Sequence, residues 1–296
     1  MLISWHWCSF PVPDLWEVTG YSAFSGHGDM DFHTRDGFMG RFSWRVLTKG
    51  APDERATLSA ALRDHVRQLD EARAATLKDP EFLSAGPFTI AHYGESDPCM
   101  ACGFLKDDGV LVQWVFPQWA PELYRRDLAP ILKGTRPHQG AFQDWSLFGL
   151  LITLPRDWTL RRLDPLPGNV SATWENAKHV QITMRRWAMA KAMLEEYTLE
   201  LLARKVMLEQ NASIKEIHPT TIGGFPGVHV DYLRRGEFGF EKIVGRWWTG
   251  TADMWVNLKE NRVYCLEQIG HRRLPRLDFA PLVEKLLRRV PAPAKH

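Results

Sequence analysis

Apolar and polar residues alternate over many short stretches of this chain, a period that is typical of β-strands with one buried face. In the first half these stretches lie near residues 8–18, 30–34, 38–47, 87–93, 100–106 and 110–116. In the second half they lie near residues 147–154, 170–175, 179–187, 227–234, 252–258 and 262–269. Tight turns at Asp108-Gly109 and Asn261-Arg262 predict hairpins, and hairpins require antiparallel pairing.

Two further stretches follow the helical period. In the first half the apolar positions of one long amphipathic helix are Leu58, Leu62, Val66 and Leu69. A less regular counterpart in the second half carries Leu194, Leu201, Leu202 and Leu208. Each half then ends in a closing helix, for which Asp127 and Asp278 are the predicted N-caps. A proline follows each of them three residues later, in the first turn, where its missing N–H costs nothing.

The second half repeats the first in the same order. The matched segments are PDLW at 13–16 with PRDW at 155–158, Trp44 with Trp187, LKDD at 105–108 with LKEN at 258–261, and DLAPIL at 127–132 with DFAPLV at 278–283. The offset between them drifts slowly along the chain, which indicates a duplication. A period this long predicts two domains, residues 1–134 and 142–296, joined by the polar linker 135–141.

The order of elements predicts an α+β domain in each half, with an antiparallel sheet flanked by helices. This order, with its Pro-x-x-Trp first strand, resembles the Mog/PsbP-like fold, present here in tandem. Members of that family include a photosystem II extrinsic subunit, a nuclear-transport factor that binds a small GTPase, and effector-associated chaperones of type VI secretion. No position of this chain matches a functional residue of theirs.

The resemblance implies a class of function, because members of the family mostly bind other proteins and few of them catalyse reactions. We therefore expect a non-catalytic intracellular module that binds a protein or peptide, as an adaptor or chaperone does. Fold alone does not fix function. The alternative is an enzyme or small-ligand carrier with its site in the cleft between the two repeats.

Charge is distributed unevenly between the halves. Residues 1–142 hold 14 Lys and Arg against 18 Asp and Glu, whereas residues 143–296 hold 23 against 17. The two halves could attract each other, or the basic half could meet an anionic partner. The chain has no run of five basic residues and no motif that reads DNA or RNA, which argues against a nucleic-acid partner.

The N-terminal stretch MLISWHWCSFPVPDLW lacks a basic region and a long apolar run, so we do not expect a signal peptide. No apolar stretch approaches the length of a membrane span. Four cysteines in 296 residues do not make a disulfide framework. The expected location is the cytoplasm.

Cys99 and Cys102 have the spacing of a zinc-binding or redox pair. Zinc needs four ligands, and the only candidates to complete a site are Cys8, Cys265, His6 and His92, all distant in sequence. We therefore expect two ordinary cysteines, with no metal and no cofactor.

The segment SGHGDMDFHTRD also contains possible metal ligands. They are His27, His33, Asp29, Asp31 and Asp36. A solvated loop between strands accounts for the same residues, and we expect such a loop.

Two sets are distinguished among the 13 tryptophans of the chain. The set that recurs across the repeat is predicted to be core and consists of Trp16, Trp44, Trp158, Trp174 and Trp187. Trp247 and Trp248 have no counterparts and lie in an insertion that is specific to the second half. Basic residues accompany them, and together they predict a binding surface made of Arg234, Arg235, Arg246, Trp247 and Trp248. A longer hairpin packed on its own domain is the alternative.

Overall fold

A computed structural model describes residues 1–24, 26–48, 50–166, 168–235 and 247–270. The chain divides into two compact units, Met1–Gly140 and Ala141–His296. Each unit is mixed α+β, with mostly antiparallel strands and few helices. The predicted helix after Asp278 lies outside the described residues. Among the described residues, no helix combines the length and apolarity needed to cross a bilayer.

The described residues of the first unit form ten strands and four short or medium α-helices. Its strands are β1 (Leu2–Trp5), β2 (Cys8–Pro11), β3 (Glu17–Ala23), β4 (His27–Thr34), β5 (Gly37–Val46), β6 (Glu81–Ala85), β7 (Phe88–His92), β8 (Cys99–Leu105), β9 (Val110–Phe116) and β10 (Arg136–Pro137). Its helices are α1 (Glu54–Leu69), α2 (Glu71–Thr76), α3 (Pro121–Leu123) and α4 (Ala129–Gly134), with a π-helical turn at Tyr124–Leu128 and a 3₁₀ turn at Lys106–Asp108.

The second unit has nine strands and two helices within its described residues. The strands are β11 (Phe142–Leu147), β12 (Leu150–Pro155), β13 (Thr159–Leu166), β14 (Asn169–Glu175), β15 (Gln181–Ala188), β16 (Ala212–Ile222), β17 (Phe225–Arg235), β18 (Trp247–Asn257) and β19 (Arg262–Gly270). The helices are α5 (Ala190–Glu196) and α6 (Leu199–Glu209).

Each unit has a seven-stranded antiparallel sheet with the same strand order. The first is β3-β4-β5-β9-β8-β7-β6 and the second is β13-β14-β15-β19-β18-β17-β16. A bulge interrupts the pairing of the first strand at the same place in both, between Val18 and Gly20 in one sheet and between Leu160 and Arg162 in the other. The two predicted hairpins, β8–β9 and β18–β19, occupy the same place in their sheets.

Helix α1 forms as the sequence predicts. The side chain of Asp53 accepts hydrogen bonds from two backbone N–H groups of its first turn, and Leu58, Leu62 and Val66 are buried one turn apart. The helix packs on β7 and β8. Leu69 was also expected on the buried face, but it is exposed at the last position of the helix, next to Asp70, which caps α2.

The apolar positions predicted for the helical region of the second unit are half correct, because Leu202 is buried and Leu194 packs partly buried against the core. The buried residues of α6 are Leu202, Ala203, Val206 and Met207, whereas Leu201 and Leu208 are exposed. The segment LELLARKVMLE places leucines on two faces, so leucine spacing alone could not show which face is buried. Thr198 caps the helix by accepting a hydrogen bond from the N–H of Leu201.

The prediction that Asp127 caps a helix is wrong. The helical segment already begins at Pro121, and Asp127 lies inside it, in the π-helical turn. The Asp127 carboxylate is buried and accepts two hydrogen bonds from the guanidinium of Arg126, at 2.9 and 2.7 Å. Pro130 follows the π turn inside the helical segment, where it cannot donate a backbone hydrogen bond, and π turns commonly mark such interruptions.

Two predicted strands are interrupted in the structure. The stretch 8–18 contains β2 and the start of β3, separated by residues 12–16, which include Pro13. The stretch 147–154 contains a hairpin turn at Phe148 and Gly149, whose φ angles are 48° and 72°. Because Phe148 is apolar, the hydrophobic pattern continues through this turn and gives no sign of it. Edge strands β6 and β16 were missed because they are short or mostly polar.

The expected core tryptophans are largely buried. Trp16, Trp44, Trp158 and Trp174 are buried, and Trp187 is partly buried against the core beneath α5 and α6. In the first unit, Trp114 completes an aromatic core with Phe10 and Phe42, whose ring centroids lie 5.0 and 5.1 Å from its own.

The helices cover only part of each sheet. In the second unit α6 packs on β16, β17 and β18, and α5 packs on β19. Among the described residues, this leaves the same face of β13, β14 and β15 without a helix. The face is therefore available for polar residues that a packed helix would exclude.

Candidate functional site

Two of the predicted binding residues meet at the surface, at the ends of β17 and β18. Arg235 lies directly opposite Trp247 in the strand pair. The guanidinium carbon of Arg235 is 6.0 Å from the centroid of the Trp247 ring, a cation–π distance. Trp247 is 49% exposed. Arg246 and residues 236–246 as a whole lie outside the described residues.

The neighbouring residues in each strand face the interior, because successive side chains of a strand point to opposite faces. Trp248 is 7% exposed and belongs to the core beneath α5 and α6. Arg234 is mostly buried, and its Nη1 donates a hydrogen bond of 3.1 Å to Gln210 Oε1. The structure thus separates the five predicted residues into a surface pair and an interior pair, with Arg246 undescribed.

A buried charge network lies beneath this strand end. At its centre is the carboxylate of Glu267, which is 1% exposed. Arg185 Nη1 donates to Glu267 Oε2 at 2.9 Å, and the hydroxyl of Tyr232 donates to Oε1 at 2.5 Å. The Nη1 atom of Arg234 lies 3.5 Å from Oε1. One carboxylate therefore holds two guanidinium groups.

The pKa values show how the network is held together. Burial acts to raise the pKa of the Glu267 carboxyl, but the charges of Arg185 and Arg234 and the Tyr232 hydrogen bond hold it below its ordinary value. Burial, followed by the charge of Glu267, raises the pKa of Tyr232 well above its usual value. Glu267 is therefore ionised and Tyr232 neutral at physiological pH.

Gly250 makes room for Tyr232 to reach the carboxylate. A Cβ atom at Gly250 would lie 2.5 Å from the Tyr232 hydroxyl and closer still to its ring. The tyrosine ring therefore passes across β18 at a residue that has no side chain. Only glycine fits such a close approach within a strand.

A second buried polar pair lies on the opposite face of the same sheet. His229 Nδ1 is 2.6 Å from Asp253 Oδ1, and the rings of His229 and His218 lie 5.1 Å apart. Asp231 Oδ1 lies 3.5 Å from His229 Nε2. A histidine oriented by a carboxylate is half of a nucleophile-activating arrangement. This pair alone assigns no chemistry to His229.

The two cysteines with metal-like spacing point to opposite faces of one strand. Cys99 and Cys102 both lie in β8, three residues apart, and side chains separated by an odd number alternate in direction. Both thiols are buried, and burial raises their pKa values to about 12. A protonated thiol is a poor metal ligand and a poor nucleophile. Among the described residues no cluster has the makings of a metal site.

The segment around His27 and His33 is a strand, so the expectation of a loop was wrong. In β4 the residues Gly28, Met30 and Phe32 are buried, while the residues between them face outward. The outward groups pair across the sheet: Asp31 with Arg41 at 2.6 Å, and Asp29 with Ser22 at 2.7 Å.

The first unit also contains an open groove of about 1080 Å³. It lies beside the π-helical turn, and its lining combines apolar and charged side chains. They include Leu15, Trp16, Phe38, Arg35, Arg126 and Asp127. Leu15 is exposed at its rim.

The sequence reading missed Arg185, Tyr232 and Glu267. A signal was present, because Glu267 directly follows the apolar run VYCL in the strand RVYCLEQIG, and Arg185 follows Met184 in the strand QITMRRWA. A charge on a fully buried strand needs a partner of opposite charge. Neither strand alone shows which residue that partner is.

No protein-family model matches this chain. No curated protein matches it either. Similar solved structures include cyanobacterial PsbP (CyanoP) from Synechocystis sp. PCC 6803, which is 11% identical over 51% of this chain and 89% of that chain, with a TM-score of 0.34. The immunity protein TplEi of T6SS from Pseudomonas aeruginosa is 10% identical over 96% of this chain and 94% of that chain, with a TM-score of 0.30. At these identities and TM-scores the similarities carry no conclusion about function.

Proposed function

We propose that this chain is a non-catalytic module that binds a protein or peptide, built from two tandem copies of a Mog/PsbP-like unit. The identical strand order of the two sheets supports the duplication. So does the bulge at equivalent positions of β3 and β13, which a shared ancestor explains more simply than chance. The four cysteines, all free, support a cytoplasmic location.

The observation that carries the binding proposal is the strand extension in the second unit. The last pair of β7 and β8 is His92 with Cys99. The equivalent pair in the second sheet is Asp231 with Thr251, but β17 and β18 continue beyond it to Arg235 and Trp247. The half-exposed indole and the guanidinium beside it thus belong to a feature that is absent from the described residues of the first unit.

Trp and Arg dominate protein interfaces because large flat groups bury much surface for little lost side-chain entropy. The Arg235 guanidinium stacks near the Trp247 ring, so both groups are already partly ordered. A pre-ordered pair loses less entropy on binding than two mobile side chains do. We infer that this pair is the anchor of a peptide-binding surface.

Peptide display against the purified chain tests the proposal. Selected peptides should lose about 2 kcal/mol of binding free energy, roughly 30-fold in Kd, with Trp247→Ala. The matched control is Phe24→Ala, which removes an exposed aromatic ring that stacks on His27 in the first unit. Equal affinities for the wild type and Trp247→Ala would remove the basis of the proposal.

A further inference from the structure

A small pocket opens on the helix-bearing face of the second sheet, over the part of that face that no described helix covers. It has a volume of about 290 Å³ and lies over β13, β14 and β15. Its polar lining consists of Arg162, Asp164, Asn169, Ser171 and Arg185. Pro165 and Leu166 complete the wall. All of these residues belong to one unit and to three adjacent strands.

The charges around this pocket do not cancel. Arg162 Nε and Asp164 Oδ2 are 2.6 Å apart and neutralise each other. Arg185 and Arg234 share the single carboxylate of Glu267. Three guanidinium groups therefore face two carboxylates, and the surplus positive charge lies where Arg185 reaches the pocket.

Hydrogen-bond donors surround that charge. Ser171 lies directly opposite Arg185 in the strand pair, so its hydroxyl shares the pocket with the guanidinium. The Asn169 amide is the next donor on the same face of β14. Glu267 fixes Arg185 from beneath, which leaves its planar fork pre-ordered for an oxyanion.

We propose that this pocket binds a carboxylate group. A single carboxylate would balance the surplus charge and take up bidentate hydrogen bonds from Arg185, as arginine and carboxylate do elsewhere. A volume of about 290 Å³ admits a small carboxylic acid or the side chain of a glutamate.

The first unit provides an internal contrast on the same face. There the outer strands present two carboxylates, Asp29 and Asp31, of which Asp31 pairs with Arg41 and Asp29 accepts from Ser22. That face has no surplus of guanidinium groups over carboxylates, because Arg41 and Arg45 stand against Asp29 and Asp31. The carboxylate site is thus specific to the second unit, and it does not depend on the peptide-binding role of Trp247.

Titration calorimetry with benzoate and its neutral isostere benzamide tests the site. The wild type should bind benzoate at least tenfold more tightly than benzamide, a difference that one partly exposed charge pair supplies. Arg162→Gln should weaken benzoate binding, because it leaves Asp164 as an uncompensated negative charge. Asp164→Asn should strengthen it about tenfold, because it removes that charge and frees Arg162. Both side chains are substantially exposed, so both variants should fold.

Arg41→Gln in the first unit is the matched control and should leave benzoate affinity unchanged. An acidic tripeptide, acetyl-Ala-Glu-Ala-amide, identifies the source of the carboxylate. Tighter binding of the tripeptide than of benzoate assigns the site to a protein partner, and tighter binding of benzoate assigns it to a small molecule. Equal binding of benzoate and benzamide overturns the proposal, as does an affinity that neither Arg162→Gln nor Asp164→Asn changes.

Discussion

The two seven-stranded sheets have the same strand order, but they differ in the side chains at equivalent positions on their third and fourth strands. Where the second sheet has Glu267 on β19, the first has Val115 on β9. Where the second has Arg185 on β15, the first has Ser43 on β5. The first unit thus has an apolar and a small polar residue where the second has a buried ion pair.

A tyrosine shows the consequence of this difference. Tyr93 follows His92 in the first sheet, at the position that Tyr232 occupies in the second. The Tyr232 hydroxyl donates to Glu267, whereas the buried Tyr93 hydroxyl has no hydrogen-bond partner among the described residues. The same strand order therefore accommodates an apolar core in the first unit and a buried charge network in the second. The charge network lies beneath β17 and β18, the strands that extend to Arg235 and Trp247.

Replacing Glu267 with valine, the residue of the first sheet, should have the largest effect. It would leave Arg185 and Arg234 without their carboxylate, and breaking a buried pair in this way costs about 3–5 kcal/mol. Urea unfolding should show that loss. The double variant Glu267→Val with Arg185→Ser, which copies both residues of the first sheet, should recover part of it. A loss below about 1 kcal/mol would mean that the network contributes little to stability.

Acid should destabilise the first unit at a higher pH than the second. Burial lowers the pKa of His6 to about 3, so its neutral form stabilises the fold above the ordinary value of 6.5. That stability is lost as the pH falls from 6.5 towards 3, by up to about 1.4 kcal/mol per pH unit. The carboxyl pKa of Glu267 is lowered from an ordinary value of 4.5, so its contribution declines only below that pH.

Urea unfolding at pH 7.0, 6.0 and 5.0 measures this difference. Asn is the replacement of choice for His6, because the backbone there has a φ of 37° and Asn tolerates positive φ. His6→Asn should flatten the dependence of the unfolding free energy on pH between 6.5 and 4.5. An unchanged slope in the variant would assign the acid sensitivity to other groups.

The two tyrosines form a matched pair for a smaller effect. Tyr232→Phe removes a hydrogen bond to a charged group and should cost about 1.5–3 kcal/mol in unfolding free energy. Tyr93→Phe removes a buried hydroxyl that has no described partner, so it should be neutral or stabilising. Equal losses in the two variants would contradict the contrast between the two interiors.

The smallest effect is expected at the cysteine pair. Purified protein should contain less than one zinc per chain, and Cys99→Ala with Cys102→Ala should leave that content unchanged, because the two thiols point to opposite faces of β8. Elemental analysis of both proteins checks this. One zinc per chain that disappears in the double variant would show a metal site.

The sequence predicted those parts of the fold that local patterns specify. Helix α1 follows from the spacing of Leu58, Leu62 and Val66, and the hairpin at Asn261 follows from a residue that tolerates a φ of 54°. The register that brings Glu267 to Arg185 is set by pairing across the sheet. Residues 82 positions apart give no local sign of that contact.

The helix start at Pro121 shows a second limit. Asp127 with a proline three residues later has the composition of a helix start, but Pro121 meets the same requirement one and a half turns earlier. When one segment contains two possible helix starts, only the way the helix packs on the rest of the domain decides which of them is used. The prediction of the binding surface met the same limit. Because side chains alternate along a strand, one of Trp247 and Trp248 must point inward, but the sequence pattern does not show which of the two it is.

Hydrogen–deuterium exchange of the full chain, with and without a selected peptide, tests the central claim most directly. We propose that the binding surface lies at the strand extension of the second unit, which has no counterpart in the described part of the first unit. Binding should slow exchange in residues 231–235 and 247–250 and leave the groove around Leu15 and Phe38 unchanged. Slower exchange confined to that groove, with no change at the ends of β17 and β18, would contradict the account.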